Sequence, residues 1–80
     1  MPSLDQLTVG QSASIQAVEG SPALVQRLLE MGLLEGEPVE VIAFAPLGDP
    51  MEVRLRDYRL SLRRREAACI TVTDITSGGQ

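Results

Sequence analysis

Eighty residues carry eleven acidic side chains against seven arginines, with no lysine and no histidine, for a net charge of −4. Net acidity with one tyrosine, one phenylalanine and no tryptophan argues against nucleic-acid binding, which needs a basic footprint and stacking aromatics. A lone cysteine, Cys69, excludes an internal disulfide and fits a reducing compartment.

The opening residues lack a basic start followed by an apolar run, so no signal peptide is expected. No apolar stretch approaches the roughly 20 residues that cross a bilayer. The expectation is a cytoplasmic chain with no direct membrane insertion. Residues 1–76 are expected to form a single domain, with 77–80 a frayed tail.

Ser3 to Leu7 predicts one short helical turn with Leu4 and Leu7 inward, broken at Gly10. Ser12 to Val18 alternates, with Ala13, Ile15 and Ala17 on one face, and predicts a half-buried strand.

The one full helix is predicted over residues 22–31. Ser21 is a fitting N-cap and Pro22 suits the first helical position, where a missing N–H costs nothing. Leu24, Leu28 and Met31 recur at helical spacing, and Val25 and Leu29 widen the stripe. Gly32 can take the left-handed conformation that ends a helix, with Leu33 at the apolar position of a Schellman motif. A helix this short is marginal alone and needs a surface to lie on.

Val39 to Phe44 predicts a second strand. The six residues Ala45 to Pro50 form a loop, with Pro46, Gly48, Asp49 and Pro50 as its turn residues and Leu47 between them. Met51 to Arg56 and Tyr58 to Leu62 alternate and predict a hairpin turning at Asp57, with Tyr58, Leu60 and Leu62 inward. Arg63 to Ala67 predicts a single helical turn, and Ala68, Ile70 and Val72 open a last strand. Five short strands and one helix make the fold class mainly β: a small barrel of about five strands closed by the helix. Closure would remove the exposed sheet edges. Its interior would hold Ile15, Val41, Val53, Leu55, Leu60, Ile70 and Val72.

Catalytic material is sparse. Without histidine there is no ordinary neutral-pH acid–base residue, and Cys69 has no adjacent activating base. Zinc wants three or four sulfur or imidazole ligands, and the chain offers one sulfur. No catalytic and no metal-ligating residues are assigned. The run Arg63-Arg64-Arg65 could meet a phosphate or an acidic partner. Alternatively it is a solvated turn whose side chains pair with Glu66 and Asp57, the reading that net acidity favours. Leu28 and Met31, with Arg27 between apolar positions, offer a helix edge for a partner beside Leu47, since interface centres favour apolar residues flanked by arginine. The candidate docking residues are therefore Arg27, Leu28, Met31, Leu47, Arg63 and Arg64.

Arg27 to Val41, with its Leu-Leu-Glu-Met-Gly helix end, then Ala45-Pro-Leu-Gly-Asp-Pro through Arg56, then Tyr58 to Arg63 and Glu66-Ala-Ala, resemble the FeoA family of bacterial ferrous-iron-transport proteins. The resemblance runs from about Leu4 to Val72. It implies an SH3-like barrel and a cytosolic accessory protein of FeoB, a membrane ferrous transporter with a GTP-binding domain. It implies transition-metal binding, which this ligand set supports only weakly, and no resident cofactor is expected; the residues themselves argue against an enzyme and leave a homo-oligomer open. The same fold closes iron-dependent repressors, so the alternative is a stand-alone partner of such a regulator. Aspartate at position 57, where the family often has glycine, is a departure, but one that tolerates a left-handed turn.

Overall fold

The helix forms where its caps predict. In the computed structural model, which describes residues 1–77, α1 spans Pro22–Glu30, and the Ser21 hydroxyl accepts a hydrogen bond from the Leu24 amide at 3.2 Å. The C-terminus is a full Schellman motif. The Leu33 amide donates to the Leu28 carbonyl at 3.2 Å and the Gly32 amide to the Leu29 carbonyl at 3.0 Å. Gly32 takes φ of 99°, and a Cβ there would also run into the Tyr58 hydroxyl. Leu33 is fully buried, as the motif's apolar contact requires.

A 3-10 turn over Leu4–Gln6 precedes the sheet and buries Leu4 and Leu7. The strands are β1 (Gln11–Val18), β2 (Pro38–Phe44), β3 (Met51–Leu55), β4 (Tyr58–Leu62) and β5 (Ile70–Ser77), all paired antiparallel in the order β4-β3-β2-β1-β5. A second, four-residue helix, α2, covers Arg64–Ala67. No helix among the described residues is long and apolar enough to cross a membrane.

The core lies between the curved sheet and the helical pieces. Ile15, Val41, Val53, Leu55, Ile70 and Val72 are buried there, and Leu60 is half-buried against them. The fold is mainly β, as the strand count predicts, and of the SH3-like type that the resemblance implies, but the sheet does not close. No β4–β5 pairing occurs among the described residues, so both remain sheet edges. The N-terminal segment covers the outer edge of β5: Ser3 bridges Thr71 and the Val72 amide donates to the Pro2 carbonyl at 3.0 Å.

Several local expectations shift. Ala17 is only half-buried, because a bulge between Ile15 and Ala17 breaks the period-two alternation. Tyr58 is 42% exposed, its ring lying at the sheet edge with its hydroxyl donating to the Met31 carbonyl at 2.7 Å. The left-handed residue of the β3–β4 turn is Arg56, φ 54°, and not Asp57. Ala68 is exposed and precedes β5. Ser77 is paired with Gln11 and belongs to β5; the rest of the expected frayed tail, 78–80, lies outside the described residues.

Candidate functional site

Three pieces that are far apart in sequence meet at one corner: the outer face of α1, the loop 45–50 and α2. Glu66 makes the meeting possible. At the third position of α2 it accepts the Arg63 backbone N–H at 3.0 Å, and its side chain is almost wholly buried. Arg27, reaching from α1, places Nη2 3.0 Å from Glu66 Oε2 while its own side chain stays 62% exposed. A buried carboxylate needs such a partner, since an isolated charge is costly to desolvate.

Arg64 fixes the loop. Its backbone N–H donates to Asp49 Oδ1 at 3.0 Å, and its guanidinium donates to the Gly48 carbonyl at 3.4 Å and the Asp5 carbonyl at 3.1 Å. The same guanidinium lies 5.2 Å from the centroid of the Phe44 ring, within cation–π range. Inside the loop the Ala45 amide donates to the Pro50 carbonyl at 2.9 Å and the Gly48 amide to the Ala45 carbonyl at 2.7 Å. Gly48 has φ of 89° and the Asp49–Pro50 peptide is cis. The tethered loop holds Leu47 out in solvent, 97% exposed.

Arg27, Pro50, Ser61, Arg63 and Glu66 line one depression of about 250 Å³. The structure thus brings Arg27 and Arg63 together, beside the loop that carries Leu47. It does not bring Leu28 to the surface. Leu28 is fully buried, its side chain turned into the core, and cannot contact a partner. Met31 is half-buried against the same core. The sequence does not single out Ser61, and it offers Glu66 as a solvated partner of the arginine run, not as a buried anchor. The acid three residues after Arg63 was the legible signal for Glu66, because an acid at that position reaches back to the helix start. The pairing expected for the arginine run is also different: Glu66 pairs with Arg27, and no ion pair with Asp57 forms among the described residues.

Charges are segregated. Arg27, Arg54, Arg56 and Arg59 pair with Glu66, Glu40, Glu37 and Glu52 respectively. The guanidinium groups of Arg63, Arg64 and Arg65 pair with no carboxylate among the described residues. Glu37 accepts two hydrogen bonds from Arg56, at 2.8 and 2.7 Å, and these hold its carboxyl below the usual range. Cys69 is half-buried, with Sγ 3.6 Å from the Arg65 carbonyl. No group of three or more histidine, cysteine, aspartate or glutamate side chains among the described residues could hold a metal ion, so these residues do not fit a resident transition metal.

Five antiparallel strands, a capping helix and an exposed arginine-rich corner define a small SH3-like module without a metal-ligating cluster among the described residues. A family model for the FeoA domain matches residues 3–74, and the chain belongs to that family. It is 45% identical over 74 residues to an Fe(2+) transport protein A/Fe(2+) transporter FeoB fusion protein of Porphyromonas gingivalis. That match covers 92% of this chain but only 9% of the fusion protein. A solution structure of FeoA from Chlorobium tepidum superposes with a TM-score of 0.82 at 42% identity, covering 89% of this chain and 68% of the other. The crystal structure of Stenotrophomonas maltophilia FeoA complexed with zinc, a procaryotic SH3 domain protein, superposes at 0.83 with 28% identity, covering 99% and 100%.

Proposed function

We propose that this chain is a small cytoplasmic accessory protein of ferrous iron transport. It docks on the cytosolic part of a FeoB-type GTP-dependent transporter and modulates it, with no catalysis and no resident cofactor of its own. The observation that carries this reading is the fusion of a 45% identical segment to a FeoB transporter in one polypeptide. Fusion raises the effective concentration of two modules that work together, to about millimolar for a short linker. Two modules that work together also need a docking surface between them.

The corner of Arg27, Leu47, Arg63 and Pro50 supports such a surface. It offers one fully solvated leucine on a pinned loop, Arg27 with its charge shared by Glu66, and Arg63, whose guanidinium has no carboxylate partner among the described residues. Arginine is enriched among the residues that dominate interfaces. The test is binding of this chain to a full-length FeoB-type transporter in lipid nanodiscs. Wild type is expected to co-elute with the transporter, and Leu47→Asp and Arg63→Glu to weaken binding at least tenfold while staying folded. Absence of wild-type binding overturns the docking role; unchanged binding in both variants overturns this surface.

A further inference from the structure

The two edges of the sheet are treated differently. The outer edge of β5 is covered by the chain's own N-terminal segment, through the Ser3–Thr71 bridge and the Val72–Pro2 hydrogen bond. The outer edge of β4 has no such cover among the described residues. Leu55 pairs with Tyr58 across the two-residue turn, so alternate residues of β4 bond to β3. Arg59 and Ser61 fall between those bonded pairs, and their N–H and C=O groups point outward. Both residues are exposed, and Ser61 borders the depression beside Arg27 and Arg63.

We propose that this edge takes up an extended protein segment as a sixth strand, with acidic and apolar residues alternating along it. The proposal deepens the docking reading above and rests on it. Main-chain hydrogen bonds to Arg59 and Ser61 supply the attachment, and alternate side chains supply the selectivity. Arg59, Ser61 and Arg63 share one face by strand alternation, and Arg63 extends the line with a β conformation, φ −68° and ψ 146°. Arg59 shares Glu52 at 3.6 Å and Arg63 has no carboxylate partner among the described residues, so this face attracts acidic side chains. The other face of the edge carries Tyr58 and half-buried Leu60, which suit apolar ones. A second copy of the chain is the poorer occupant. Antiparallel self-pairing would crowd two Arg59 and two Arg63 side chains on one face, and like charges there repel.

The experiment uses the full chain, isotope-labelled for NMR, and a capped octapeptide alternating glutamate and valine; a lysine–valine octapeptide is the control. The glutamate peptide is expected to shift the Arg59 and Ser61 amides and slow their exchange, and the lysine peptide to do neither. Ser61→Pro removes an outward N–H without touching the β3 ladder, which edge positions tolerate; it is expected to weaken binding at least tenfold. Arg63→Glu is expected to weaken it at least fivefold, and it remains informative if the proline variant fails to fold. Equal binding of the lysine peptide, perturbation away from β4, or unchanged affinity in Arg63→Glu overturns the proposal. Concentration-dependent protection of Arg59 and Ser61 without peptide overturns it in favour of self-pairing. Because the peptide reads the edge alone, a negative result here leaves nanodisc binding through another face standing.

Discussion

The Arg27 guanidinium lies 3.0 Å from the Glu66 carboxylate, joining a solvated face of α1 to a side chain that is only 6% exposed. Glu66 also accepts the Arg63 amide. Removing it loses both, so Glu66→Ala should destabilise the fold by about 1–3 kcal/mol. Arg27→Ala should cost less, about 1 kcal/mol, because the arginine end is largely in water. Urea denaturation of the two single variants and the double variant measures this, and a coupling energy near zero would contradict the pairing.

Gly32 meets two separate constraints: φ of 99° and the Tyr58 hydroxyl lying where a Cβ would go. Gly32→Ala should destabilise by about 1–3 kcal/mol. Tyr58→Phe in the same background should recover part of that loss, leaving the backbone cost. Thermal unfolding of the four proteins separates the two contributions.

Leu28 and Leu47 are opposites in environment, at 0% and 97% exposure. Leu28→Ala should cost about 2–5 kcal/mol, as buried leucine truncations do. Leu47→Asp should change stability by no more than about 0.5 kcal/mol. Denaturant midpoints check both.

The Glu37 carboxyl lies below its ordinary range because Arg56 hydrogen-bonds the ionised form. Its contribution to stability is therefore fully present above the unfolded value of about 4.3 and is lost as pH falls through the lower folded value. Arg56→Gln removes this advantage. The stability gap between wild type and Arg56→Gln should be constant at neutral pH and shrink below about pH 4. A gap that widens on acidification would contradict the assignment.

Local signals were readable in the sequence and relational ones were not. Ser21, Pro22 and Gly32 announce the ends of α1 because capping depends on neighbouring residues. The alternation of Met51, Val53 and Leu55 gives the buried face of β3 directly. Leu28 and Leu29 are about 100° apart on the helix, and which one faces inward is decided by the sheet beneath, not by the stripe. The bulges in β1 and β2, the open sheet and the Arg27–Glu66 contact all depend on pairings between distant segments. Arg27, Leu47 and Arg63 of the candidate corner are thus legible in the sequence, but the burial of Glu66, its pairing with Arg27 and the neighbouring Ser61 are not.

The most direct measurement is an NMR footprint of the labelled full chain on a full-length FeoB-type transporter in nanodiscs. The account predicts amide broadening concentrated at Arg27, Leu47, Arg59, Ser61 and Arg63. Broadening confined to Glu37 and Arg56, or no broadening at saturating transporter, would contradict it.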